Sequence, residues 1–305
     1  MPDTDTILLA KMTSAVSLII KASYQGANLL DIQVRHIVRM LEHKRFCEIV
    51  LVFDPTESIF IRQYSQPSRI RALDIAEKLL HDGIIDKYVV PPTDTPAIVE
   101  DLNERWFGIR TAETHTITKA PMYQQLYAFE ISRGKYILQT DADIIICRRD
   151  PSHNYLKEMI AATESGKNVA SVGFNIAHRS NDFCPYAAPS TGEYVPEVRI
   201  CLFQKDRFFS LRPFPNELTD GKFKLTWYRS LHQLQKERGL VSLRGGDGRT
   251  FFIHPPNSVK NDITFLTGVI RKVEENQIPE IQFEHVNLVG NYDDWDIPST
   301  KADIL

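Results

Sequence analysis

Short apolar runs alternate with amphipathic stretches through the first half of the chain. Apolar runs predict buried strands at residues 17–20, 48–53, 87–90 and 136–140. Apolar positions three and four residues apart predict helices between these runs, among them residues 70–80 and 121–132. Strands and helices that alternate in this order are typical of a mostly parallel sheet with helices on both faces. Such sheets bind ligands at the carboxyl ends of their strands.

The second half of the chain follows a less regular pattern. Helices are predicted at residues 154–165, 223–238 and 262–276. The stretch 177–196, rich in Pro, Ser, Asn and Tyr, predicts a loop. Strands at 240–243 and 250–253 flank Gly245-Gly-Asp-Gly248 and predict a hairpin. We favour a hairpin over a phosphate loop because the G-x-x-x-x-G-K-[ST] pattern is missing.

Composition and charge narrow the class of protein. Of the 305 residues, 43% are hydrophobic and 25% are charged, which is typical of globular proteins and excludes a disordered chain. The net charge of -3 gives no global basic field for nucleic acid. Four cysteines without a C-x-x-C pair, an acidic N-terminus and no apolar run of membrane-spanning length predict a cytoplasmic protein without a transmembrane segment. Peripheral membrane contact is left open.

The sharpest chemical signal is an Asp-x-Asp motif between two apolar runs, formed by Asp141 and Asp143. Residues two apart in extended backbone point to the same side, so both carboxylates can face one ligand. Carboxylates are costly to bury without a partner. Mg²⁺ commonly takes one or two carboxylates together with phosphates, so the motif predicts a metal-diphosphate site. A turn with two solvated aspartates is the alternative.

The segment from Lys119 to Ile146 resembles nucleotide-sugar glycosyltransferases of the GT-A fold, particularly the large inverting family 2. That family carries a helix, then R-G-x-Y-I, an apolar strand and D-A-D, and this chain reads Arg133-Gly-Lys-Tyr-Ile-Leu-Gln-Thr-Asp-Ala-Asp143. The resemblance is specific at 133–146 and architectural over the rest of 14–257. It implies a metal-dependent, inverting, hexosyltransferase-type enzyme with a GT-A (Rossmann-like) α/β fold, in which a mostly parallel sheet is flanked by helices.

Without an internal repeat or a low-complexity linker, residues 1–305 are expected to form one continuous domain, and the resemblance implies how its parts are used. Residues 14–150 would bind the nucleotide sugar, with uridine diphosphate the commonest carrier. Residues 151–257 would form a less regular half that binds the acceptor, a carbohydrate or another hydroxyl compound, and carries out catalysis. Residues 258–305 would form a C-terminal helix and tail.

Roles for the acidic motif follow from the same resemblance. Asp143 is expected to ligate Mn²⁺ or Mg²⁺ directly, while Asp141 contacts the ribose or supports the metal, with Ala142 between them. His254, at a predicted strand end, corresponds to a late histidine that binds the metal or the diphosphate. A histidine with a purely structural role is the alternative for His254.

Further residues are expected around the nucleotide. Asp54 ends the second predicted strand and is expected to hold the nucleobase. The loop that follows the first strand is expected to wrap the nucleotide and consists of Lys21, Ala22, Ser23 and Tyr24. Lys119 either contributes positive charge at the diphosphate or is a solvated lysine before a helix.

An inverting transfer needs a carboxylate that takes the proton of the acceptor hydroxyl. Family 2 supplies it from an E-D pair, which is missing here; Asp220 is the candidate and Glu217 the second choice, with solvated turn residues as the alternative. Asp247, in the glycine-rich turn, could also reach an acceptor.

Three other functions stay open on sequence grounds. A retaining glycosyltransferase shares the Asp-x-Asp motif. A sugar nucleotidyltransferase usually has a Gly-rich, Arg-containing loop after the first strand, whereas residues 21–28 contain one Gly and no Arg. A non-catalytic protein that binds nucleotide sugars is disfavoured because Asp141, Asp143 and His254 are all present.

Overall fold

The computed structural model describes residues 15–56, 64–176, 180–186 and 196–298. Eight α-helices in these ranges are α1 (Leu30–Leu41), α2 (Arg69–His81), α3 (Pro96–Phe107), α4 (Tyr123–Ile131), α5 (Tyr155–Glu164), α6 (Lys205–Ser210), α7 (Trp227–Arg238) and α8 (Ile263–Glu274). The strands of the large sheet are β1 (Val16–Ala22), β2 (Glu48–Phe53), β3 (Lys87–Val89), β4 (Tyr136–Asp141), β6 (Val169–Gly173), β7 (Asn181–Pro185), β8 (Ile200–Gln204) and β11 (Val241–Gly246). Two small sheets pair β5 (Ile145–Arg148) with β12 (Thr250–Ile253) and β9 (Leu218–Thr219) with β10 (Lys222–Phe223).

The predicted mostly parallel α/β sheet is confirmed. The strand order in the large sheet is β3-β2-β1-β4-β8-β6-β11-β7. Strands β3, β2, β1 and β4 are mutually parallel, whereas β8 runs antiparallel to both β4 and β6. The chain moves outward from β1 to β2 and β3 and then returns to the other side of β1 with β4. This reversal between β1 and β4 is a topological switch point, where open α/β sheets bind ligands.

Alternation along the strands builds a core on each face of the sheet. Leu18 and Ile20 of β1 pack into one cluster with α1, α2, α5 and α8, while Ile19 packs into the other with α3, α4, α6 and α7. Because the central strands are covered on both faces, their sequences are continuous apolar runs and do not alternate between apolar and polar residues. Among the described residues, no helix has both the length and the apolar character needed to cross a bilayer.

The hairpin predicted around Gly245-Gly-Asp-Gly248 is wrong. Strands β11 and β12 follow each other in the chain but join different sheets, since β11 pairs with β6 and β7 while β12 pairs with β5. Glycine permits the close approach of β11 to β7, because a Cβ at Gly245 would lie 2.4 Å from the carbonyl oxygen of Asp182. The glycines therefore allow strand pairing here rather than a tight turn.

Two further expectations for the second half need correction. The helix predicted from Phe223 begins at Trp227, because Phe223 lies in β10, where it is buried and its ring centroid lies 4.9 Å from that of Phe107. Strand β7 occupies part of the predicted loop 177–196 and forms the exposed edge of the sheet. Its polar sequence gives no apolar signal of a strand. Residues 177–179 and 187–195 of that loop lie outside the described residues.

Candidate functional site

The candidate site is a cleft at the carboxyl ends of β1, β2 and β4, beside the switch point. Its volume is about 380 Å³, which is within the usual range for small-molecule sites. Of the predicted donor-binding residues, all but Lys119 line the cleft, namely Lys21, Ala22, Ser23, Tyr24, Asp54, Asp141, Ala142 and Asp143. His254 lines it as well. The fold thus brings residues from distant parts of the sequence to one place.

Asp141, the last residue of β4, is held beside β1. The register of the parallel pair sets Lys21 opposite Asp141, and the Lys21 Nζ lies 2.7 Å from the Asp141 Oδ1. Lys21 also donates to the carbonyl of Val198 at 2.9 Å, and its side chain is only 5% exposed. Burial raises the pKa of Asp141 above its ordinary value, although the charge of Lys21 works in the opposite direction. The lysine therefore compensates a carboxylate that the fold has partly desolvated.

Asp143 is paired with a second lysine, Lys260. The Lys260 Nζ donates to the Asp143 Oδ2 at 2.5 Å, and the Lys260 side chain is 8% exposed. Burial works to raise the pKa of Asp143, but the neighbouring positive charges, foremost that of Lys260, together lower it. Lys260 also lies over the ring of Tyr64, 5.2 Å from the centroid. Burial and the charge of Asp143 raise the pKa of Tyr64 well above its ordinary value, so this phenol is neutral.

His254 follows β12 and carries a neutral ring at physiological pH. Burial lowers its pKa to about 4, although the charge of Asp143 works against this shift. Its Nδ1 lies 3.2 Å from the Asn287 Oδ1. Because an amide oxygen only accepts, the Nδ1 donates and the Nε2 keeps its lone pair. A neutral imidazole with an available lone pair has the chemistry of a metal ligand.

Asp54 lies just beyond β2 and is already partly engaged. Its Oδ2 lies 2.8 Å from the His115 Nε2, and its Oδ1 accepts from the backbone N–H and the hydroxyl of Thr56, both at 3.0 Å. These bonds fix the orientation of the carboxylate at the cleft wall. The Oδ1 already accepts two hydrogen bonds, but the Oδ2 has a second lone pair through which Asp54 can still accept from a ligand.

Lys21 and Ala22, predicted to lie in the loop after the first strand, are instead the last two residues of β1, and α4 holds this strand end in place. The Gln124 side-chain amide donates to the carbonyls of Ala22 at 2.8 Å and Val52 at 2.6 Å, which ties the ends of β1 and β2 together. Tyr24 stacks on Phe53 with ring centroids 5.5 Å apart and an interplanar angle of 7°. The start of the predicted nucleotide loop is therefore a rigid part of the wall.

Positive charge exceeds negative charge along the described lining of the cleft. Three carboxylates line it, those of Asp54, Asp141 and Asp143. Five permanently cationic side chains line it, those of Lys21, Arg199, Lys224, Arg229 and Lys260. Such a lining favours ligands with several negative charges.

Sequence reasoning missed Lys260, Arg199 and Tyr64. Each of them stands alone in a polar or mixed segment, and no motif marks it. The only local signal for Lys260 is its position in the turn between His254 and α8. Its partner Asp143 is 117 residues away in the chain, so only the folded structure reveals the pair.

The proposed bases and Lys119 do not line the cleft. Asp220 lies in the turn between β9 and β10 with φ 51°, and Glu217, just before β9, is paired with Lys224 at 2.5 Å. Lys119 is exposed in a turn with φ 61°, next to Thr118, which does line the cleft. Their catalytic and binding roles stay predictions.

The cleft offers side chains of the types that bind a divalent cation, although Asp141, Asp143 and His254 do not have their ligand atoms all within 4.8 Å of one another. Asp141 and Asp143 offer carboxylate oxygens, and one or two carboxylates with phosphates are the usual ligands of Mg²⁺. His254 adds an imidazole nitrogen, whereas the carboxylate oxygens are the ligands that suit both Mg²⁺ and Mn²⁺. A cation at Asp143 would compete with Lys260 for the same carboxylate.

A second group of metal-type side chains lies elsewhere. In the described part of the chain, one set of three such side chains has its ligand atoms within 4.8 Å of one another, and it consists of His153, Glu158 and Asp247. Asp247 is paired with Arg249 at 2.7 Å, which lowers its pKa to about 2. It does not line the cleft, so its predicted contact with an acceptor gains no support from the geometry.

Comparison with known proteins gives distant likenesses of fold. No family model matches the sequence, and no curated protein matches it. An inositol-1-phosphate CTP transferase from T. maritima is similar in structure, with a TM-score of 0.47, 13% identity and coverage of 87% of this chain and 98% of that chain. A protein provisionally assigned as a glucose-1-phosphate thymidylyltransferase from Bacillus anthracis, in complex with a sucrose, gives a TM-score of 0.43 with 11% identity. The match covers 86% of this chain and 95% of that chain.

A mycobacterial protein gives a TM-score of 0.40 with 11% identity and covers 98% of this chain and 82% of that chain. Two of these three structures are named as nucleotidyltransferases, and the resemblance to glycosyltransferase family 2 is not confirmed. Identities and TM-scores this low give no information about the function of this chain.

Proposed function

We propose that this protein is a transferase that binds a nucleoside-diphosphate sugar with Mn²⁺ or Mg²⁺ and moves the sugar to an acceptor hydroxyl. The observation that carries the proposal is the pair of carboxylates at the switch point, Asp141 and Asp143, each bonded to a buried lysine. Two carboxylates and two ammonium groups in one cleft match a ligand that combines a divalent cation with a diphosphate.

The nucleotide would lie along the ends of β1 and β2. Asp54 can accept hydrogen bonds from the nucleobase, and the wall formed by Ala22, Ser23 and Tyr24 would contact the nucleoside. A uridine diphosphate carrier is the proposed form of the donor. The bonds from Thr56 and His115 hold Asp54 in one orientation, which reduces the entropy lost on binding.

The chemistry of transfer leaves a nucleoside diphosphate with additional negative charge. Lys21 and Lys260 would stabilise this charge, because they lie at the carboxylates and are held in place before the reaction. A divalent cation held by Asp141, Asp143 and the neutral His254 would add Lewis-acid stabilisation of the same oxygens. Burial of both lysines strengthens their effect since little water screens them.

Activation of the acceptor is the finer part of the proposal. Inversion needs a carboxylate beside the acceptor hydroxyl, and Asp220 is proposed for this role with Glu217 as the second choice. Both precede α7, whose first turn lines the cleft. A retaining transfer would not need Asp220, so the configuration of the product separates the two.

Nucleotidyl transfer is the second candidate function. A nucleoside triphosphate and a sugar phosphate together carry more negative charge than a nucleotide sugar, and the excess of cations in the cleft favours such a pair. Against it stands the segment after β1, which lacks the Gly-rich, Arg-containing loop of that class.

One experiment separates the candidates. The full-length protein is screened for thermal stabilisation by nucleotide sugars and nucleoside triphosphates, with and without Mn²⁺, since a ligand at 100 times its Kd adds about 2.7 kcal/mol. Reaction products are then identified. Release of a nucleoside diphosphate supports glycosyl transfer, release of pyrophosphate supports nucleotidyl transfer, and metal-dependent binding without turnover supports a binding protein. No stabilisation by any nucleotide would contradict the proposal.

A further inference from the structure

Helix α7 begins at the cleft, and its first turn offers hydrogen-bond donors there. Thr226 is the N-cap residue, and the backbone N–H of Ser230 donates to the Thr226 carbonyl at 2.9 Å. The backbone N–H groups of the residues between them have no acceptor within the helix. Thr226, Tyr228 and Arg229 all line the cleft. The positive end of the helix dipole therefore lies at the cleft wall.

The hydroxyl of Thr226 lacks a partner. Thr226 is only 5% exposed, and among the described residues none forms a hydrogen bond with its buried Oγ1. The hydroxyl does not cap the helix, although threonine at this position often does. A buried hydroxyl without a partner costs free energy. The Oγ1 has almost no accessible surface in this structure, so the Thr226 side chain has to rotate before a ligand in the cleft can complete its hydrogen bonding.

Two cationic side chains lie at the start of α7. Lys224 and Arg229 line the cleft with exposed side chains. Lys224 is paired with Glu217, but no described residue forms an ion pair with Arg229. The carboxylates that line the cleft are bonded to other partners, at Lys21, Lys260 and His115. The guanidinium of Arg229 is thus an available cation.

From these observations we infer that the second substrate carries a phosphate group, which binds at the first turn of α7 against Thr226 and Arg229. The inference rests on the proposed function, because it places this group next to the nucleotide in the same cleft. Backbone N–H groups, a hydroxyl and a guanidinium together match the acceptor oxygens and the charge of a phosphate. A neutral sugar would leave the charge of Arg229 unused.

The test titrates inorganic phosphate into the full-length protein by calorimetry, in the presence of saturating UDP and Mn²⁺. Arg229→Gln should weaken phosphate by about tenfold or more, since a charge-assisted bond is lost. Thr226→Val should weaken it by about threefold to tenfold. The matched control is Arg238→Gln, at the other end of the same helix, which should leave the affinity unchanged. Thr226→Val should melt no lower than wild type, because the hydroxyl makes no bond in the protein.

Competition identifies the form of the ligand. Glucose 6-phosphate should compete with inorganic phosphate, whereas glucose should not. If phosphate binds the wild type only without UDP, it occupies the diphosphate position of the donor, and the inference is wrong. Equal phosphate affinities of wild type and the two folded variants would also overturn it. If phosphate binding depends on Arg229 but UDP with Mn²⁺ never binds, the proposed function fails while the phosphate site stands.

Discussion

Lys260 and Asp143 form a partly buried ion pair across 117 residues of sequence, with the Nζ 2.5 Å from the Oδ2. The pair places the Lys260 ammonium at the carboxylate that is proposed to ligate a metal. Lysine and metal would therefore compete for Asp143, while the same lysine would assist binding of the diphosphate. These two roles give opposite effects of one substitution.

Replacement of Lys260 separates the two roles. Lys260→Met should raise the affinity for Mn²⁺ alone, because a positive charge beside the carboxylate is removed. It should weaken UDP with Mn²⁺ by about tenfold, because a charge-assisted bond to the diphosphate is lost. Calorimetric titrations with Mn²⁺ alone and with UDP at saturating Mn²⁺ measure both. A change of the same sign in both titrations would contradict the competition between Lys260 and metal.

Replacement of Asp143 tests the metal site itself. Asp143→Asn should abolish the Mn²⁺-dependent part of UDP binding, because an amide is a much weaker ligand for a hard cation than a carboxylate. The fold should persist, since the side chain stays nearly isosteric. Thermal stabilisation by UDP with and without Mn²⁺ measures the effect, and Asp293→Asn, at an exposed position, is the control. A folded Asp143→Asn protein with unchanged metal dependence would remove Asp143 from the site.

Much of the sheet and one edge of the cleft could be predicted because their signals are local. Apolar runs marked β1, β2 and β4, and the aspartates at the end of β4 followed directly from the strand that carries them. The switch point beside β1 follows from the order of strands and helices. Position at a strand end therefore located Asp54, Asp141 and Asp143 without any knowledge of side-chain contacts.

The remaining features depend on contacts between distant segments. Nothing in the residues around Lys260 indicates that it meets Asp143, and strands β11 and β12 resemble a hairpin until their partners in other sheets are known. Strand β7 is polar because it is an exposed edge, so its sequence has no apolar pattern. Pairing and burial, rather than propensity, decide these elements.

Replacement of Asp54 tests contact with the nucleobase. Asp54→Ala should weaken UDP by about 1–3 kcal/mol, which is the cost of an unpaired polar group in the bound state. Pyrophosphate with Mn²⁺ should bind as to wild type, because it has no nucleoside. Asp94→Ala, at an exposed position, is the control. Equal losses for UDP and pyrophosphate would show that the substitution disturbs the whole cleft instead.

The pH dependence of stability should reveal a buried carboxylate far from the cleft. Burial works to raise the pKa of Glu48, but hydrogen bonds from Ser17 and Arg133 and the charge of Lys87 outweigh it and lower the pKa. A lowered folded-state pKa stabilises the protein above the unfolded pKa of about 4.3, and this stabilisation is lost as the pH falls through the folded value.

Glu48→Gln should therefore reduce the free energy of unfolding at pH 7 by about 1–3 kcal/mol. The difference from wild type should shrink as the pH falls below about 4.3, because the unfolded wild-type chain then binds a proton at Glu48 that the folded protein takes up only at lower pH. Denaturant unfolding at several pH values measures both. A difference that stays constant down to the lowest pH would mean that the charge of Glu48 is not what stabilises the fold.

Asp220 is the proposed base, and its backbone conformation permits a substitution that leaves the turn unchanged. Its φ of 51° is a conformation that asparagine adopts as readily as aspartate, so Asp220→Asn should keep the turn between β9 and β10 intact. Loss of a general base typically costs about 10²–10⁴ in rate, so kcat should fall by that factor while the donor Kd stays nearly unchanged. Glu217→Gln, which removes the partner of Lys224, should have a smaller effect. Full activity of Asp220→Asn would place the base elsewhere, and full activity of both variants with retained anomeric configuration would make the inverting assignment wrong.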